Sequence, residues 1–166
     1  SEINLVRYTT SEINALFSEV KYDLDEVRDT KLVKPIDIGL LPNEIKNIAN
    51  TKKRKEMFIK IILPLIVKEN NKIRIDRKRL FGILSKNSNT DIEKKWLEKK
   101  YRQYGVRKND LSTLKIRMDE IPISLAIAQA AKETGWGTSR FALKGNALFG
   151  QWTWSGEGLK PKNAEK

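Results

Sequence analysis

A chain of 166 residues with neither cysteine nor histidine excludes disulfides, thiol catalysis, haem, Cys/His zinc sites and Ser-His-Asp hydrolysis. Acid–base chemistry then falls to Asp, Glu, Tyr or Lys. A net charge of +12 implies attraction to a polyanion, whether nucleic acid, anionic lipid headgroups or an acidic cell-wall polymer, without choosing among them.

Residues 10–28 read as one amphipathic helix. Ile13, Leu16, Phe17, Val20, Leu24 and Val27 share a stripe, with Thr10 or Ser11 as the N-cap. Residues 33–42 form a connector punctuated by Pro and Gly. Helical period resumes over 43–69, and a kink or break is expected at Pro64, which has no N–H to bond back to Lys60. The apolar run Met57 to Val67 is interrupted by Lys60 and Pro64 and is too short to span a bilayer. Asn71 to Leu84 reads as a basic helical segment carrying Arg74, Arg77, Lys78 and Arg79. Its ordinary meaning is a solvated face; its functional meaning is attraction to an anionic wall polymer or nucleic acid.

A polar loop over 85–90 leads to a helix over 91–104 with Trp96 and Leu97 inward, then a short helix over 110–118. Pro122 opens a helix from Ile123 to about Glu133. No strand alternation precedes residue 147, so the fold class is mainly α. The division expected is an N-terminal helix and connector over 1–40, packed on a main domain over 41–166. Nothing at the N-terminus resembles a secretory signal, and a first residue of Ser leaves a removed leader open.

The segment most informative about chemistry is Ala130 to Ala142. Ala126, Ala128, Ala130 and Ala131 let neighbouring helices approach closely, so the helix is expected to be buried in the bundle, with Glu133 at its end beside Trp136. The negative helix terminus and the apolar ring both discourage ionisation, which suits a general acid. The competing reading is a helix-terminal carboxylate capping a local donor such as Arg140. Gly135 and Gly137 predict a tight turn. Alternation from Leu148 onward, with a turn over 155–158, predicts a short hairpin. Trp152 and Trp154 fall on one side of that strand, where flat rings suit sugars; core packing is the alternative, and the stronger one for Phe149. Trp136 reads first as structural, because the flanking glycines let it turn inward. Asp119 and Glu120 read as a helix start, and Gln129, one turn before Glu133, as a group that orients it or simply packs.

Ile123 to Ala142, followed by Gly145-Asn-Ala-Leu-Phe-Gly-Gln-Trp152, closely resembles the glucosaminidase family of bacterial cell-wall hydrolases, and within it the Bax-type branch. Leu41-Pro42, Arg54-Lys55, Phe58, Leu63-Pro-Leu-Ile66, Asn70, Arg77, Leu80 and the Asp119 to Pro122 lead-in add to the match, which covers roughly 20–160. The resemblance implies a lysozyme-like α fold with a short β-hairpin near the C-terminus and a cleft between lobes. It implies an endo-β-N-acetylglucosaminidase acting on the β-1,4 bonds of peptidoglycan glycan strands. Glu133 takes the position of the family's catalytic acid. Trp136, Asn146, Phe149, Gln151, Trp152 and Trp154 become candidates for substrate binding. Ala147 departs from the common Asn and is expected to alter a turn contact only.

The family's domain continues beyond the point where this chain ends, so the domain is expected to be truncated at its C-terminal end. The second catalytic group is expected there, or at Glu157, whose competing reading is a solvated turn residue. No metal or organic cofactor is implied, nucleic acid is disfavoured as a partner, and a monomer is favoured. The implied location is the bacterial cell envelope, periplasmic or secreted. Two other readings stay open: a catalytically weak peptidoglycan-binding module, and a basic binder of nucleic acid or membrane surface.

Overall fold

The computed structural model describes residues 6–139, together with the backbone alone of 152–155 and 158–161. Among the described residues the chain is mainly helical. Helix α1 spans Thr10–Glu19, α2 Leu24–Thr30, α3 Thr51–Leu84, α4 Asp91–Gln103, α5 Leu111–Arg117 and α6 Ile123–Thr134, with a 3-10 turn over Asn43–Asn47. The hairpin expected near the C-terminus falls largely outside the described residues.

Two expected helix boundaries are corrected. The helix read over 10–28 is two helices, and Thr9, not Thr10 or Ser11, caps the first through a box with Glu12. Lys21 turns left-handed at φ 54, and the Tyr22 N–H donates to the Phe17 carbonyl at 2.8 Å. Asp23 then restarts the chain by accepting from the N–H groups of Asp25 and Glu26. The apolar stripe runs across this corner because Phe17 and Tyr22 enter the same core, with ring centroids 5.1 Å apart. Periodicity therefore did not reveal the break.

The second correction concerns the break allowed for at Pro64, which does not occur. Helix α3 runs unbroken for 34 residues through Pro64, about 51 Å at 1.5 Å per residue. An interior proline costs a helix about 3 kcal/mol. Here Ile61, Ile62, Leu63, Leu65 and Ile66 are all buried around it, so packing on every side offsets that penalty.

This central helix organises the rest. Phe58, Ile61, Ile62 and Ile66 form one core with Ile13, Phe17, Ile38, Leu41 and Ile45 from the N-terminal segment and with Leu114, Met118, Ala126 and Ala130 from α5 and α6. The Arg7 guanidinium donates to the Leu41 carbonyl and holds the N-terminal segment to this core. Helix α4 lies antiparallel to the second half of α3, as three contacts in reversed order show. Lys86 pairs with Glu93 at 3.0 Å, Arg79 covers the Trp96 ring at 4.8 Å, and Lys100 pairs with Asp76 at 2.6 Å. Arg77 donates to the carbonyls of Lys115 and Met118 at 2.6 and 2.7 Å, which closes the C-terminal end of α5. Part of the arginine cluster is thus structural.

Candidate active site

Helix α6 carries the candidate acid and is fixed at both ends. At its entry, buried Asn70 of α3 makes two bonds to one residue. Its amide donates to the Ile121 carbonyl at 2.9 Å, and its carbonyl accepts from the Ile121 N–H at 3.0 Å. Beside it Glu120 pairs with Arg74 at 2.6 Å, which raises the Arg74 pKa through that hydrogen bond. Glu120 therefore fastens the lead-in to α3, and Pro122 is the residue before the first helical one.

At the exit, three consecutive residues adopt positive φ: Gly135 at 57°, Trp136 at 58° and Gly137 at 81°. A non-glycine residue in this region costs about 1–2 kcal/mol. A dense set of bonds sustains the conformation. The Trp136 N–H donates to the Ala131 carbonyl at 2.9 Å, and the Ser139 N–H to the Thr134 carbonyl at 3.1 Å. Buried Thr134 is the hub. Its hydroxyl donates to the Ala130 carbonyl at 2.6 Å and accepts from the Gly137 N–H at 3.1 Å.

The turn is docked as well as bonded. Gly137 lies so close to the core that a Cβ built on it would stand 3.0 Å from Leu41 Cδ1 and 3.1 Å from Phe58 Cδ2. Trp136 is half-buried, edge-on to Phe58 at 5.7 Å between ring centroids, with the Lys55 ammonium 4.7 Å from its ring centre. One region of this ring thus packs on α3 while the remainder is accessible.

Glu133 stands on the last turn of α6, and its side chain is exposed. The expectation that the helix would bury it is corrected. Ala126, Ala130, Ala131 and Thr134 line the inward face, whereas Leu125, Ala128, Lys132 and Glu133 face outward. The alanines do admit close packing, but only along one stripe, and Glu133 lies just beyond its edge. Gln129, one turn earlier, is half-buried on the same flank. The result is a reachable carboxylate on a backbone locked from below.

Asn146, Phe149, Gln151, Glu157 and the alternative partner Arg140 lie outside the described residues, as do the side chains of Trp152 and Trp154. Among the described residues no group of three or more His, Cys, Asp or Glu side chains could hold a metal ion. Sequence reasoning passed over Thr134. A threonine directly before Gly-X-Gly at a helix end was the available signal, since its hydroxyl can reach both the preceding carbonyl and the following N–H.

Residues 108–165 match the glucosaminidase family model, described as mannosyl-glycoprotein endo-beta-N-acetylglucosaminidase. The chain is also 34% identical over 103 residues to Protein bax of Escherichia coli (strain K12), covering 58% of this chain and 38% of that protein. The chain is thus similar to the glucosaminidase family over residues 108–165 and spans well under half the length of the curated relative it matches. The matched segment contains α5, α6, Glu133 and the Gly135 to Gly137 turn, whereas Asn70, Leu41 and Phe58, which hold α6 and the turn in place, lie before it. No solved structure gives a significant match, and no helix among the described residues is long and apolar enough to cross a membrane.

Proposed function

We propose that this chain belongs to the glucosaminidase family and contributes to an endo-β-N-acetylglucosaminidase of the bacterial cell envelope. In that enzyme Glu133 is the general acid that cleaves β-1,4 bonds of peptidoglycan. The observation that carries the reading is the position of Glu133, exposed on a helix end fixed by Thr134 and Gly137, inside the family-matched segment. A general acid must reach the leaving oxygen of a bulky polymer and hold its geometry while doing so. Exposure supplies the reach and the pinned turn supplies the geometry.

The reaction follows from the chemistry of the bond. The Glu133 carboxylic acid gives its proton to the glycosidic oxygen as the bond from that oxygen to the anomeric carbon breaks. Positive charge then spreads over the anomeric carbon and the ring oxygen. Water completes the hydrolysis, activated by a second carboxylate or after attack by the substrate's own N-acetyl group. Glu157, between the two C-terminal strand segments in sequence, is the candidate for the second role within this chain. An antiparallel backbone register from Trp152 opposite Pro161 to Ser155 opposite Gly158, with the second segment beside α6, supports the hairpin of the lysozyme-like reading. Trp152 and Trp154, two residues apart on the first segment, are candidates with Trp136 for binding the sugar.

The test is digestion of purified peptidoglycan by the wild-type chain and by Glu133→Gln. New reducing N-acetylglucosamine ends from wild type alone establish the reading. Sedimentation with the wall but no new ends from either protein makes the chain a binding module instead.

A further inference from the structure

The positive charge of this protein is concentrated in one part of it. Residues 71–118 hold 15 Lys and Arg against five Asp and Glu, a net +10 of the chain's +12. They build the second half of α3 together with α4 and α5. Some of these charges are neutralised locally, as in Arg74–Glu120, Lys86–Glu93, Lys100–Asp76 and Lys108–Glu98. Lys78, Lys94, Lys95, Lys99, Arg102 and Lys115 are exposed, and none of them forms an ion pair among the described residues.

The same layer inverts the usual sorting of apolar groups. Ile75, Ile92 and Ile116 are 68%, 74% and 74% exposed, and Phe81 is 43% exposed. The amphipathic aromatics of the layer point the other way. Tyr101 and Tyr104 are buried, and Trp96 lies half-buried under the Arg79 guanidinium. The protruding groups are interleaved with cations. Ile92, Lys95, Lys99 and Arg102 recur every three or four residues along the outer face of α4. On α3, Ile75 and Lys78 are likewise neighbours. Arg77 joins α3 to α5, because its guanidinium lies 5.0 Å from the Phe81 ring centre while donating to the Lys115 carbonyl. Phe81, Lys115 and Ile116 are thereby brought into one region.

We propose that the outer face of this α3–α5 layer docks on an anionic lipid bilayer. Aliphatic side chains presented singly among unpaired lysines suit the headgroup boundary, where cations meet phosphates and short apolar groups enter the acyl region. A nucleic-acid surface would call for exposed aromatic platforms or an element that enters a groove. Here the tryptophan and tyrosines of the layer are turned inward and the exposed apolar groups are chiefly isoleucines. The inference is independent of Glu133 and of glycan cleavage.

Co-sedimentation of the full chain with phosphatidylglycerol/phosphatidylcholine vesicles, and with phosphatidylcholine vesicles alone, tests it. The wild type is expected to bind only the anionic vesicles, and less as salt rises. Lys95→Glu with Lys99→Glu should lower the partition coefficient at least about tenfold. Ile92→Ser with Ile116→Ser should lower it several-fold while leaving the salt dependence in place. Circular dichroism confirms that each variant is folded; these sites are exposed, so folding is expected to survive. Four results would overturn the proposal: no binding to anionic vesicles, equal binding to neutral ones, undiminished binding by the folded Lys95/Lys99 variant, or preference for double-stranded DNA over vesicles at the same salt.

Discussion

Gly137→Ala should be far more damaging than its size suggests, because two independent penalties coincide at one atom. The residue sits at φ +81°, and its added methyl would lie 3.0 Å from Leu41 Cδ1 and 3.1 Å from Phe58 Cδ2. The left-handed backbone penalises an L-residue by about 1–2 kcal/mol, and forcing a methyl into a packed core adds about 1–3 kcal/mol. The expected loss is therefore about 2–5 kcal/mol, a large part of the stability of a domain this size. Two further glycines separate the terms. Gly135→Ala meets the backbone penalty at φ +57° with Thr138 Oγ1 at 3.3 Å and the Ser139 backbone nitrogen at 3.9 Å, and should lose about 1–2 kcal/mol. Gly82→Ala, inside α3 with nothing within 4 Å, should gain about 0.5–1 kcal/mol through helix propensity. Urea unfolding followed by far-UV circular dichroism gives all three, provided the m-value is unchanged. If Gly137→Ala were no worse than Gly135→Ala, the turn would not be docked on Leu41 and Phe58, and the argument for a rigid acid would fail with it.

Asn70→Ala strands the N–H and carbonyl of Ile121 in a buried position and should cost about 2–4 kcal/mol, read by the same unfolding curves. Tyr22 has a buried hydroxyl without a partner among the described residues. Tyr22→Phe should therefore leave stability unchanged or raise it by up to about 1 kcal/mol. Burial also raises the Tyr22 pKa, so the folded state keeps a proton that the unfolded phenol loses near pH ~10. Stability should fall as pH climbs beyond that point, and Tyr22→Phe should reduce the slope. It will not abolish it, because burial raises Tyr104 as well. At the acid end, the hydrogen bonds from Lys86 and then the Thr90 backbone hold the Glu93 carboxyl below its ordinary range. That contribution is present above pH ~4.3 and is lost as pH falls through the folded value. The stability difference between wild type and Glu93→Gln should accordingly shrink on acidification.

What the sequence made legible was whatever local pattern controls. The helices over 91–103, 111–117 and 123–134 announce themselves through period and caps, and Gly135 announces the end of α6. The Lys21 corner was hidden because the residues on both sides of it serve one core. Pro64 misled in the opposite direction, since its penalty is local while the burial that outweighs it comes from helices distant in sequence. Glu133 shows both effects. The motif singled the residue out as a candidate, but an alanine-rich helix looks buried all round in sequence, and only the packed structure shows the inward stripe ending beside it. Asn70 acts on the backbone of Ile121, 51 residues away, so its work emerged only from the fold, whereas Thr134 bonds locally to Ala130 and Gly137 and was legible in the Thr-Gly-Trp-Gly sequence.

Whether Glu133 donates the proton that breaks a glycan is the central question, and one measurement addresses it directly. Purified peptidoglycan is incubated with equal amounts of folded wild-type and Glu133→Gln protein, and new reducing ends are quantified by reduction and mass analysis. The account predicts N-acetylglucosamine reducing ends from the wild type, and a rate lowered by at least about 100-fold in the variant. Equal release by both proteins, or reducing ends exclusively on the alternating sugar, would contradict it.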